Sequence, residues 1–108
     1  MTQQALEQVN FELKALDIVA SNREFCESWL AKDPSYLRVL RFHKRTPSAD
    51  ALATCASKLG YYATHLAKST RPENHSMAAK FRELQGLCLA ELDHLSRAKW
   101  MTAERMGL

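Results

Sequence analysis

Apolar residues recur three or four positions apart along almost the whole chain. Leu6, Val9, Leu13 and Leu16 do so near the N-terminus, Leu52, Cys55, Ala56 and Leu59 in the middle, and Phe81, Leu84, Cys88, Leu92 and Leu95 towards the end. That period belongs to helices with one buried face, and no stretch alternates as a half-buried strand would. Gly and Pro, three of each in 108 residues, leave too few turns for a many-stranded fold. This length suits one domain with a modest core. The expected fold class is all-α, a compact bundle of about five or six helices ending in a long one.

Start and stop signals divide the pattern. A first helix is predicted over 3–19. Ser21 and Glu24 fit a capping box that opens a second helix over 22–31, with Phe25, Trp29 and Leu30 facing inward. Asp33 can cap a short helix over 34–43 with Pro34 in its first turn, where no N–H is needed, and Leu37 and Leu40 face inward. Thr46-Pro47-Ser48 starts a fourth helix, expected to end at Gly60 as a C-terminal cap. Tyr61 to Ala67 adds a further short helix, the polar stretch 68–74 a loop, and 75–99 the longest helix. Two units follow, an N-terminal one over 1–67 and the long helix over 75–99.

Several function classes find no support. No apolar run reaches the roughly 20 residues of a membrane span. The N-terminus lacks a basic-then-apolar leader, so a cytoplasmic protein is expected. Cys26, Cys55 and Cys88 are far apart and form no CxxC or Cys/His ligand pair, so neither a metal site nor any other cofactor is expected. No nucleophile–base arrangement and no Gly-rich phosphate loop can be assembled, which argues against an enzyme. The net charge of +3 is mild, but its distribution is not. Arg38, Arg41, Lys44 and Arg45 place four cations within eight residues, with His43 among them and no acid.

The order of residues around that cluster carries a resemblance. Two short helices joined by a tight turn are followed by a basic loop, the pair Pro47-Ser48, and a helix with Leu52, Ala56 and the closing Leu59-Gly60. Over about residues 21–60 this resembles the lambda-repressor-like (Cro/repressor, XRE-type) helix-turn-helix family, with Leu6 to Leu16 as its first helix. The family usually has Gly where His43 stands. Its second helix has a small residue four positions before the turn Gly, whereas Cys26 and Ala31 are five apart, so one residue is inserted here.

The resemblance implies a sequence-specific regulator of transcription that binds double-stranded DNA, of phage or bacterial type and found on the nucleoid when bound. Residues 34–43 would be the recognition helix, with Ser35, Tyr36, Arg38 and Val39 as base-contact candidates. Arg can hold guanine O6 and N7. Tyr36 would touch a thymine methyl or a phosphate, or be half-buried beside Trp29. Val39 would meet a base or pack on the first helix. Asn22, Arg23, Lys32, Arg41, Lys44 and Arg45 are phosphate-contact candidates. Capping at Asn22 and Arg23 and solvation at Lys32 are the plain alternatives.

The long helix exceeds what such a domain needs. Its stripe of Phe81, Leu84, Cys88, Leu92 and Leu95 would complete the core, pair with a second copy, or both. A homodimer suits a protein that reads two half-sites about one DNA turn apart. The alternative is a helical interaction module, an antiactivator or adaptor, whose last helix binds another protein.

Overall fold

The computed structural model describes residues 4–107, and every regular element among them is a helix. Helix α1 spans Ala5–Ala15 and α2 Asn22–Glu24, which runs straight into a π-helical segment, Phe25–Trp29. Then come α3 (Tyr36–His43), α4 (Ala49–Ala67) and α5 (Pro72–Trp100). The all-α bundle and its long last helix are as the periodicity predicts. The predicted start of α1 at residue 3 lies outside the described residues.

The helix ends explain most boundary differences. Helix α1 stops at Ala15 rather than residue 19 because Asp17 turns left-handed, at φ 61°. The Ile18 N–H then reaches back to the Leu13 carbonyl (2.9 Å) and the Asp17 N–H to that of Lys14 (3.0 Å). These two bonds satisfy carbonyls that the helix would otherwise leave open. Helix α3 ends the same way. Lys44 is left-handed at φ 52°, and the Arg45 N–H bonds the Leu40 carbonyl at 2.9 Å. The chain therefore turns at Lys44, one residue beyond His43.

Ser21 caps α2 as predicted, its Oγ accepting from the Glu24 N–H at 3.1 Å. Glu24 reaches back to the N–H of Ala20 (2.9 Å), not to that of Ser21. The inserted residue inferred between Cys26 and Ala31 coincides with the π turn, whose five-residue bonds hold one residue more than α-helical ones. Ala31 is left-handed at φ 55°, and the Lys32 N–H closes the turn on the Cys26 carbonyl (2.9 Å).

Gly60 is not a cap. Helix α4 passes through it to Ala67 and absorbs the short helix predicted from Tyr61. A Cβ at Gly60 would run into the Gln85 side chain, whose Nε2 donates to the Ala56 carbonyl at 3.1 Å. Gly60 thus serves close approach of α5. Helix α5 begins at Pro72, not residue 75, because proline suits the first helical position.

Helices α4 and α5 run antiparallel, with Tyr62 beside Phe81 and Ala56 beside Gln85. Helix α1 crosses α5 where Glu12 meets Lys80 at 3.3 Å. Between them lie Leu6, Val9, Leu13, Phe25, Leu30, Leu37, Leu52, Leu59 and Leu84, each almost wholly buried. Such a side chain is worth about 2 kcal/mol of transfer free energy, an upper estimate since the unfolded chain is itself partly collapsed. Phe81, Leu84 and Cys88 are 4%, 1% and 0% exposed within the single chain. They complete its core and are not free to form a face for a second copy. Leu92 and Leu95 are partly buried against the same core.

Candidate nucleic-acid interface

Helix α3 turns Leu37 and Leu40 into the core, so positions three and four residues away from each other on its far side face out. Ser35, Arg38, Val39 and Phe42 form that outer stripe. Arg38 is exposed, Val39 is 41% exposed and Phe42 80%. Phe42 was missed among the site residues, although the spacing from Ser35 and Val39 carries the signal. Its ring meets that of His43 edge-on, with centroids 5.0 Å apart.

The entry to α3 is built around Asp33. Its Oδ1 accepts from the Ser35 N–H at 2.9 Å and from the Ser35 hydroxyl at 2.5 Å. The hydroxyl bond, then the backbone bond, hold the Asp33 carboxyl below its usual range, with a further contribution from Arg38. Asn22, Asp33, Pro34, Ser35 and Arg38 line one groove of about 430 Å³. The first residue of α2 and the start of α3 therefore share a surface.

The remaining candidates divide by their partners. Asn22 Oδ1 accepts from Asn10 Nδ2 (2.9 Å) and from the Lys14 ammonium. Lys14 can only donate, so the Asn22 amide has its oxygen turned to α1 and its NH2 turned away. Arg23 pairs with Glu27 at 2.9 Å on the solvent side. Lys32 pairs with Asp50 (3.0 Å) and lies 5.7 Å from the centre of the Tyr36 ring. Arg41 is held by Glu7 of α1 through two bonds, 2.7 and 3.3 Å, which raise the guanidinium pKa further. Lys44 and Arg45 are exposed at the C-terminal end of α3.

Tyr36 fits neither sequence reading fully. It is half-buried, but its partner is Ser48 rather than Trp29. The Tyr36 hydroxyl accepts the Ser48 N–H at 2.9 Å and lies 3.3 Å from the Ser48 Oγ that caps α4. It ties the recognition-helix candidate to the helix behind it. Trp29 packs instead on Tyr62 and Phe81, with Lys58 Nζ 4.5 Å from its ring centre. Tyr61 is 59% exposed and rests on His65, while Tyr62 covers the core.

Among the described residues no group of three His, Cys, Asp or Glu side chains converges, and no helix is long and apolar enough to cross a membrane. No curated protein and no solved structure matches the chain. A family does match, and over residues 6–101, which take in α1 to α5 almost entirely. The chain belongs to that family, DUF6626, a family of unknown function.

Proposed function

We propose that this protein is a sequence-specific double-stranded DNA-binding regulator of transcription, related in design to the XRE-type helix-turn-helix domains. The observation that carries the reading is the shared groove, in which Asn22 at the start of α2 meets Ser35 and Arg38 at the start of α3. One helix positioning on phosphate while the next enters the major groove is how a helix-turn-helix docks. Lys44 and Arg45, beyond the end of α3, supply exposed cations for the adjoining backbone. Arg41 and Lys32 contribute less, because Glu7 and Asp50 already neutralise them.

The mechanism is occupancy of an operator. Two copies place their α3 helices in successive major grooves, about 34 Å apart, and the bound pair blocks or assists RNA polymerase. Leu89, at 47% exposure on α5, offers apolar surface for pairing, since Phe81, Leu84 and Cys88 are occupied inside the monomer.

A second reading, a protein-interaction module, is favoured by the aromatic side chains Phe42 and Phe11, 80% and 70% exposed. Exposed apolar rings mark a contact surface where they join into a contiguous patch.

Sequencing of sheared source-genome DNA retained by the purified protein at physiological salt separates the two. The DNA reading expects a sharp, roughly two-fold symmetric motif, lost or relaxed in Arg38→Ala at a cost of about 1–3 kcal/mol. Retention without a motif, or none, would move the function to the protein-binding reading.

A further inference from the structure

Resting on the reading of α3 as the DNA-reading helix, we infer that Asp33 and Ser35 select a cytosine through its N4 amino group, beside a guanine read by Arg38. The inference follows from which hydrogen-bond roles remain open in the groove. Asp33 is an ionised carboxylate and can only accept. The Ser35 hydroxyl spends its single proton on Asp33 Oδ1 at 2.5 Å, so it too presents only lone pairs outward. Arg38 can only donate. The Asn22 amide oxygen is held by Asn10 and the donor-only Lys14, leaving its NH2 to donate. The groove therefore offers two adjoining acceptors, Asp33 and Ser35, together with two donors on its lining, Asn22 and Arg38.

The adjoining pair of acceptors excludes most of what DNA could place against it. A phosphate is repelled by Asp33, so the acid must face a base edge or water. Thymine and guanine offer acceptors in the major groove, which would oppose Asp33 and Ser35. Adenine offers an amino group but sets the N7 acceptor beside it, opposite the second of the two adjoining acceptors. Cytosine alone offers a lone amino donor. Arg38 follows Ser35 by three residues, about 4.5 Å of helix rise, against about 3.4 Å per base step. It therefore meets the next base pair or the one after, where guanine O6 and N7 suit its fork. The Asp33 carboxyl, held below its usual range by the bonds from Ser35, agrees with a carboxylate that stays charged throughout the neutral range.

The test is selection from random duplexes by the full-length chain, in parallel with Asp33→Asn. Asparagine keeps the acceptor that holds the Ser35 N–H, and far-UV circular dichroism checks the fold. The wild type is expected to enrich a motif with one cytosine favoured about tenfold over thymine, next to a guanine. In Asp33→Asn the cytosine preference should collapse while the guanine stays. Arg38→Ala should do the reverse. A wild-type motif whose cytosine survives Asp33→Asn, or that has no cytosine at all, overturns this inference and leaves the DNA reading standing. No motif in the wild type overturns the DNA reading itself. If Asp33→Asn does not fold, the selected duplex with 2-pyrimidinone in place of that cytosine asks the same of the wild type. An undiminished affinity for it sinks the inference, and a drop of about tenfold supports it.

Discussion

Of the cations that ring α3, those with internal partners should behave differently from those without. Arg41 is gripped by Glu7 through two bonds, whereas Lys44 and Arg45 form no ion pair among the described residues. The Glu7–Arg41 pair is half-exposed and contributes little to stability, at most about 1 kcal/mol. Its larger effect would be on binding, because a neutralised guanidinium releases fewer counterions from DNA. Lys44→Ala should make the slope of log affinity against log salt shallower by about one unit. Arg41→Ala should change it by much less. The comparison needs titrations of one duplex at four or five salt concentrations. Equal slopes for the two variants would mean that Glu7 lets go of Arg41 when DNA arrives.

Gly60 shows how much one element depends on its neighbour. Within α4 a glycine costs about 1 kcal/mol relative to alanine. The cost is accepted because Gln85 fills the space a Cβ would take and donates to the Ala56 carbonyl. Gly60→Ala alone should leave stability almost unchanged, the gain in helix propensity offset by displacement of the Gln85 amide. In a Gln85→Ala background the same substitution should stabilise by about 1 kcal/mol, measured by urea unfolding. An equal effect in both backgrounds would mean that Gln85 moves aside freely. The same residue shows what the sequence could convey. The spacing of Leu52, Cys55, Ala56 and Leu59 identified the helix and its buried face. Whether Gly60 ended it depended on α5, 25 residues away, which no local signal reveals. Likewise the capping residues Ser21 and Ser48 were legible because they act on their own helix. The bond from Tyr36 to Ser48 and the pair Glu7–Arg41 were not, since both join separate helices. Asp33 was read only as a cap. Its place in the groove with Asn22 depends on how α2 and α3 cross.

At the scale of the whole molecule, α5 turns one face to the core and leaves another in water. The inner face, with Phe81, Leu84 and Cys88, belongs to the monomer core. Phe81→Ala should cost about 3–5 kcal/mol, much of the stability of a chain this size, and would report on folding rather than on association. Leu89 is different, for it is half in water and adjoins Leu92 one turn along. On the proposed reading, a pair of recognition helices one DNA turn apart would require two copies held in fixed relation, and Leu89 offers α5 apolar surface to hold them. Leu89→Asp should therefore turn a dimer into a monomer in sedimentation at micromolar concentration, without lowering Tm by more than a few degrees. The selected DNA motif should shrink to a single half-site, bound more weakly. A dimer that survives the change would move the interface elsewhere, with exposed Phe42 on α3 a candidate. Pairing through Phe42 would cover the end of α3 and oppose its entry into a groove, so that result would also weigh against the DNA reading.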